Sequence, residues 1–590
     1  MSYSDHRYHA PTDLAVTATV LKRVLVIGSC LISALPEFIE ANSPGCRADY
    51  ILFNNLSELP NEPPHPPGDY DFQIIQIATR SILQEHHYFR LRYDDLRGYE
   101  ALLESVKDNL YRILDGVLAY NQNHGMLTFI SNFLVPQQNA MGRLLPRYDL
   151  RNPVYFFEQI NIALHEEIAR HSNVHVLDVD MISAGMGRKY VQDDAVWSFA
   201  HNAALSDADF AADQQRIETI APMSARYELR TYAFVQAMWG EIVAMYRTLR
   251  QIETVKLVVV DLDDTLWRGV LAEHGDPSWD IIEGWPLGFA ETLLYLKRRG
   301  VLLAILSKND EATIAGLWDR VFQGLLHFSD FAVRKINWQP KVENFDEILA
   351  AVNLLPRSVV YIDDNPVERA AIQEAFPEVR LLGSDPYVLK RVLLWAPETQ
   401  VPFITSESTR RTEMVQQGVE RETARKRMTR SEFLASLELK IQVRKIQGPD
   451  DRDFPRAFEL LNKTNQFNTT GRRWTLAETY NEIQNQSIWY IFGVKDKFTD
   501  YGVVALAIIR QCEVIQLVMS CRVVGLDIEL DVFTTIKNEL LIKNCRIMSG
   551  PFINTGLNNL AKTTLDRLNA TWTNGNWSLD IQKLETVLSN

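Results

Sequence analysis

The chain has 590 residues, too many for one hydrophobic core, and its length predicts about three or four domains. Hydrophobic residues make up 46% and charged residues 23%, the balance of an ordinary soluble globular protein. A net charge of −14 argues against nucleic acid as the main partner, although an acidic average is compatible with a local basic pocket for anionic small molecules.

The opening segment, MSYSDHRYHAPTDLAV, has acidic and polar residues where a signal peptide needs a basic region and an apolar run. No stretch approaches the roughly 20 apolar residues of a membrane span. Five cysteines (Cys30, Cys46, Cys512, Cys521 and Cys545) have no metal-ligand spacing, and their odd number and low density speak against a disulfide framework. The expectation is a cytoplasmic chain with no membrane partner.

The first predicted strand, Val24–Ile27, runs into a Gly-Ser turn. FQIIQIAT from Phe72, MLTFISNF from Met126 and VHVLDVD from Val174 follow, with helical periodicity between them, as in EALLESVKDNLYRILDGVLAYNQ. Alternating strands and helices predict a parallel α/β sheet over residues 20–250, closed by a long helical pattern. KLVVVDLDDTLW at Lys256 starts a second α/β unit over 251–398, continued by VLLAILSKND and SVVYIDDNP. A charged helical connector occupies 399–434. Residues 435–590 begin with LKIQVRKI and alternate strands such as YGVVALAIIR with helices.

The second unit places four pieces at predicted strand ends: Asp261 and Asp263 after LVVV, Ser307 after LLAIL, Lys341 in INWQPKVENF, and Asp363-Asp364 after SVVYI. Open parallel sheets bring such ends into one crevice. Asp261 is the candidate nucleophile toward phosphorus, and an aspartyl-phosphate splits one hard displacement into two. Asp263, two residues on, reaches the same side of an extended strand end and is the candidate general acid and base. Magnesium, an oxygen-seeking cation, offsets repulsion between an anionic nucleophile and an anionic substrate. Its expected ligands are Asp261, the Asp263 carbonyl and Asp363, with Asp364 either a ligand or a partner behind one. Ser307 and nearby N–H groups hold a phosphate oxygen, and Lys341 offsets charge in the transition state.

At these residues the chain resembles the FkbH-like family of the haloacid dehalogenase superfamily. DLDDTLWRGVLAEHG is similar to that family's first motif, and AILSKND, INWQPKVEN, YIDDNPVER and LNKTNQFNTTGRRWT match later ones, so the resemblance covers most of residues 250–560. It implies loading of a glyceryl unit from 1,3-bisphosphoglycerate onto the phosphopantetheine arm of an acyl carrier protein, with removal of the distal phosphate, in polyketide-type biosynthesis. It also implies substrate contacts from Trp267, Gly269 and Glu273 and from Lys308 and Asn309 around the second motif. Leu306 stands where the family commonly has Cys, and Asp264, Arg268 and His274 are further departures. The missing Cys leaves the carrier's own thiol or another cysteine as acceptor. It also keeps open a plain phosphatase on a small metabolite, or a carrier-docking acyltransferase led by the last domain.

The flanking segments carry weaker resemblances. Gly28-Ser29-Cys30 resembles the nucleophile turn of SGNH hydrolases, with Ser29 and Asn132 as a second candidate site and Asp194 with His201 as the nearest substitute for the missing DxxH. SCRVVGLD resembles the pyrophosphate turn of GNAT acyltransferases, through Arg522 and Gly525, although Asp527 replaces the last glycine and would repel phosphate. The whole is expected to be a multidomain α/β protein: a Rossmann-like parallel sheet of the dehalogenase type between an SGNH-like α/β domain and a GNAT-like α+β domain.

Overall fold

The computed structural model describes residues 10–53, 59–192, 222–271, 277–404, 410–417, 432, 436–497, 500–523 and 526–588. It divides into two compact units, one centred on residues 18–246 and the other on residues 247–474 and 478–590. The chain is α/β throughout, with two parallel sheets and one mixed sheet.

The first unit holds β1 (Arg23–Gly28), β2 (Arg47–Leu52), β3 (Phe72–Ile75), β4 (Thr128–Ser131) and β5 (Val174–Leu177) in the order β2-β1-β3-β4-β5, all parallel. The middle strands are buried along nearly their whole length, as expected where helices cover both faces of a sheet. The helix Leu96–Val117 starts where Asp95 accepts the Gly98 N–H, and it buries Leu103, Val106, Leu110 and Leu114, a stripe at three- and four-residue spacing. Strand order reverses between β1 and β3, which opens a crevice at their carboxyl ends.

In the second unit β6 (Leu257–Val260), β7 (Leu302–Ser307), β8 (Val333–Ile336), β9 (Val359–Ile362) and β10 (Arg380–Leu382) form a parallel sheet in the order β10-β9-β6-β7-β8. Its strands alternate between two apolar layers. Val258, Val260, Leu303, Ile305, Val360 and Ile362 face Phe289, Leu293 and Trp318 on one side. Leu257, Val259, Leu302, Leu306 and Tyr361 face Phe345, Ile348 and Ile372 on the other. Each fully buried Val or Leu contributes about 1.5–3 kcal/mol, so this double layer fixes the register on which the strand-end residues depend. The order reverses between β6 and β9.

The remaining sheet combines β11 (Lys440–Lys445), β12 (Phe467–Asn468), β13 (Ile488–Lys495), β14 (Asp500–Arg510), β15 (Glu513–Met519), β16 (Ile547–Pro551), β17 (Thr571–Thr573) and β18 (Asn576–Asp580). The parallel neighbours β15 and β16 meet only at Glu513 and Ser549 and then diverge. The wedge between them is filled by the chain itself. Phe467 and Asn468 pair with Met519 and Val518, and Thr469 accepts the Ile553 N–H at 3.0 Å.

Cys512 and Cys545 are joined in a disulfide, with Cα atoms 5.9 Å apart. The cysteine count suggested no disulfide framework, and 33 residues of separation carry no signal for this bond. The fold supplies it, because Cys512 precedes β15, Cys545 precedes β16, and these strands begin side by side. Among the described residues, no helix is long and apolar enough to cross a membrane.

Candidate active site

The reversal between β6 and β9 gathers the candidate residues. Asp261 follows β6 and anchors its backbone N–H on Ile362 O at 2.9 Å. Lys341 opens the helix Lys341–Val352 and is itself buried. Its Nζ lies 3.2 Å from Asp261 Oδ1 and 2.6 Å from Asp363 Oδ2, so one ammonium bridges two carboxylates from neighbouring strand ends. Asp363 is fully buried, and its carboxylate accepts from Lys341, from the Tyr361 hydroxyl and from the Asn365 N–H at 2.9 Å.

Asp263 is held by three donors. Its Oδ1 accepts from the Trp267 indole and from the Leu271 N–H, each at 2.9 Å, and its Oδ2 accepts from Asn309 Nδ2 at 2.9 Å. Asn309 also donates to Ser307 Oγ at 3.1 Å, which ties the end of β7 to the loop after β6. That loop closes on itself. Asp264 adopts a left-handed conformation (φ 50°), a region that Asp and Asn tolerate better than most residues, and its Oδ1 accepts the Gly269 N–H at 2.7 Å.

Two carboxylates contact the Lys341 cation, and a third, Asp364, lies beside them. Burial drives the Asp261 carboxyl up to about 7, with Asp363 acting in the same direction, while Lys341 and bonds from the Leu262 N–H and Ser307 pull it down. Asp364 is also raised, by burial and by Asp363 and Asp264. Lys341 is raised despite burial, because both carboxylates favour its charge. Asp261 Oδ1, although beside Lys341, is buried and takes no aligned hydrogen bond. Asp261, Asp363 and Asp364 each offer an oxygen within 4.8 Å of the others. An all-oxygen donor set with excess negative charge and an orphaned buried oxygen fits a hard divalent cation.

Several expected contacts take other partners. Trp267 is 1% exposed and packs on Trp318 and Phe322, so it holds Asp263 from beneath rather than meeting a ligand. Lys308 is exposed and pairs with Glu368 at 2.5 Å. Arg268 donates to Asp280 O and Glu283 O, bracing the turn at Trp279–Ile282. Leu306 is fully buried in the layer with Phe345 and Tyr361, so a side chain at this position belongs to the core. Glu273 and His274 lie outside the described residues.

The structure adds residues that the motifs did not single out. Tyr361 hydrogen-bonds Asp363, and its position two residues earlier on the strand puts it on the same side. Thr265 Oγ1 accepts the Asp364 N–H at 3.1 Å. Arg369 clamps the carbonyls of Asp363 and Asp364 at 2.5 and 2.7 Å. Gly383, after β10, sits against the Asp363 backbone at φ +113°, where a Cβ would come within 2.2 Å of Asp363 O.

At the first unit's crevice, Ser29 is fully buried and its hydroxyl donates to Gln76 Oε1 at 2.8 Å. An amide oxygen is a hydrogen-bond acceptor but no general base, so this serine is held rather than activated. Asn132 Nδ2 is likewise engaged, by Asp178 Oδ1 at 2.8 Å. Asp194 and His201 lie outside the described residues. In the mixed sheet Arg522 Nε donates to Ser520 Oγ at 3.1 Å, Gly525 lies outside the described residues, and Asp527 begins the helix Ile528–Ile542 in a left-handed conformation.

No protein family and no curated protein matches the chain. Among solved structures it is similar to the N-terminal part of the protein BF1531 from Bacteroides fragilis, which contains a phosphatase domain and is complexed with Mg. That likeness has 20% identity, covers 67% of this chain and 98% of the other, and has a TM-score of 0.45. A fainter likeness, at 10% identity over 68% of this chain and 100% of the other with a TM-score of 0.13, is to UDP-GlcNAc 2-epimerase from Neisseria meningitidis bound to UDP-GlcNAc.

Proposed function

We propose that the second unit is a magnesium-dependent phosphatase of the haloacid dehalogenase type, with Asp261 as nucleophile. The observation that carries this reading is the Lys341 ammonium between Asp261 and Asp363 at the strand reversal. A buried carboxylate held beside a fixed cation is oriented for attack on phosphorus. Asp261, Asp363, Asp364 and the Asp263 carbonyl would hold Mg²⁺, which when bound supplies positive charge against the phosphoryl oxygens.

The chain's own groups divide the remaining work. Asp261 forms a bond to phosphorus as the bond to the leaving oxygen breaks. Asp263 delivers a proton to that oxygen and then takes one from the water that cleaves the aspartyl-phosphate, releasing inorganic phosphate. Ser307 and Lys341 stabilise charge on the transferring group.

The finer reading follows the motif resemblance. The substrate is a phosphorylated three-carbon acyl unit, with 1,3-bisphosphoglycerate as donor and an acyl carrier protein as acceptor. A thiol attacks the acyl carbon, the acyl–phosphate bond breaks and phosphate leaves; Asp261 then removes only the distal phosphate. Attack by Asp261 on the acyl phosphate would instead release a free carboxylate and lose the activation. Cys30 and Cys46, which lie outside the disulfide, both belong to the first unit, and burial holds the Cys46 thiol up at about 11. Leu306 offers no thiol, which favours the carrier's own phosphopantetheine as acceptor.

The test is incubation of the chain with magnesium, 1,3-bisphosphoglycerate made in situ and a pantetheinylated carrier, read by intact mass spectrometry. A dephosphorylated glyceryl adduct with wild type, and a phosphorylated adduct or none with Asp261→Asn, is the expected result. Phosphate release without any adduct contradicts carrier loading and leaves a plain phosphatase.

A further inference from the structure

The two oxygens of Asp263 are held in different ways. Oδ1 accepts from the Trp267 indole N–H and from the Leu271 N–H, each at 2.9 Å, and neither of those nitrogens can accept in return. Both donors lie on the loop that leaves β6, and both are fixed. Trp267 is 1% exposed, edge-on to Trp318 at 6.1 Å and tilted against Phe322 at 6.2 Å, so a close-packed core holds the indole in place. Leu271 is buried, and the turn before it is closed by Asp264 N–H to Gly269 O at 3.3 Å and by Gly269 N–H to Asp264 Oδ1 at 2.7 Å.

Oδ2 is engaged only on one side. Among the described residues its donor is Asn309 Nδ2 at 2.9 Å, a single bond to an oxygen that can accept two. Asp263 is half-buried rather than sealed. The same Asn309 nitrogen donates to Ser307 Oγ at 3.1 Å, so its two hydrogens are divided between Asp263 and Ser307. Ser307 Oγ accepts in that bond and turns its own hydrogen elsewhere. One buried amide thus sets Oδ2 of Asp263 and the Ser307 hydroxyl in register with each other.

We propose, resting on the phosphatase reading above, that Trp267 and Asn309 are positioning residues which divide the work of Asp263 between its oxygens. The indole pins Oδ1, and Asn309 aims Oδ2, the oxygen that exchanges the proton, toward the phosphoryl group held by Ser307. In the first step the Oδ2–H bond breaks as the leaving oxygen takes the proton and its bond to phosphorus opens; the electron pair stays on Asp263. In the second step Oδ2 takes a proton from the water whose oxygen bonds to phosphorus, and the bond from phosphorus to Asp261 breaks.

Aiming a proton donor has a consequence that simple packing lacks. Protonation matters in proportion to how poorly a leaving group departs: phenolate needs the proton, and 2,4-dinitrophenolate leaves without it. Partial unfolding lowers turnover of both esters alike, so the ratio of the two losses is independent of how much of a variant is folded.

The test measures kcat/KM of the full chain with magnesium on phenyl phosphate and on 2,4-dinitrophenyl phosphate, for wild type, Trp267→Phe, Asn309→Leu and Asp261→Asn. This parameter reports the steps up to release of the phenol, before water enters. A positioned general acid contributes about 10²- to 10⁴-fold, so Trp267→Phe, which keeps a ring in the pocket and removes the N–H, should lose at least about tenfold more on phenyl phosphate than on the dinitrophenyl ester. Asn309→Leu should show the same selectivity, on top of a loss common to both esters through Ser307. Equal losses on the two esters in both variants overturn the proposal and leave the phosphatase reading standing. Hydrolysis retained in Asp261→Asn, or absent from wild type, overturns that reading and this inference with it.

Discussion

Replacing Lys341 with methionine keeps the apolar stem and removes only the ammonium. That group lies 3.2 Å from Asp261 Oδ1 and 2.6 Å from Asp363 Oδ2, and Asp363 is fully buried. Deleting one partner of a buried ion pair typically costs about 3–5 kcal/mol, because the remaining charge is left uncompensated. Tyr361 and Asn365 still donate to Asp363, and a carboxyl can take up a proton, so the expected loss is at the lower end, about 3 kcal/mol. Urea unfolding in EDTA should therefore show a clearly lower midpoint for Lys341→Met. Counting Asp261, Asp363 and Asp364 against Lys341, the formal charge falls from −2 to −3. Added magnesium should then raise the variant's midpoint more than that of wild type. Turnover should fall roughly 10²- to 10³-fold, the usual cost of losing one transition-state donor. A variant as stable as wild type in EDTA, with no larger response to metal, would refute the bridging role of Lys341.

Gly383→Ala should destabilise the unit by at least about 1–3 kcal/mol from its backbone conformation alone and should also depress activity, since the new Cβ meets the Asp363 backbone; unchanged thermal unfolding and turnover would count against that packing. Glu241 is raised from 4.5 to about 7 by burial and then by Asp178, so the fold retains its proton where the unfolded chain has lost it. Its contribution to stability consequently declines as pH rises through that window, and Glu241→Gln should relieve up to about 3 kcal/mol at pH 8 and little near pH 4.5; equal effects at both pH values would contradict this. Cys512→Ser/Cys545→Ser should cost about 3–4 kcal/mol, the loop-closure estimate for a separation of 33 residues, measured by denaturant unfolding against oxidised wild type. No change in midpoint would contradict a stabilising bond.

The carboxylates were legible in the sequence because parallel strands buried on both faces read as short apolar runs. LVVV, LLAIL and SVVYI therefore marked where Asp261, Ser307 and Asp363 would meet. Tyr361 was legible in principle from strand alternation, and Trp267 hid its role because a buried indole and a ligand-facing one look alike in sequence. Gly383 could not be read at all, since its constraint comes from the adjacent strand rather than from its own neighbours. The same holds for the Cys512–Cys545 bond. Ser29 illustrates the converse: a familiar turn was visible, but its hydrogen-bond partner proved to be an amide.

The central claim is that Asp261 takes up the phosphoryl group, and the direct test is to trap it there. Asp263→Asn should impair hydrolysis more than attack, so the variant mixed with magnesium and 1,3-bisphosphoglycerate, acid-quenched and digested, should carry phosphate on the peptide containing Asp261. Absence of that label in a time course through which wild type releases phosphate, or its appearance on another residue, would contradict the account.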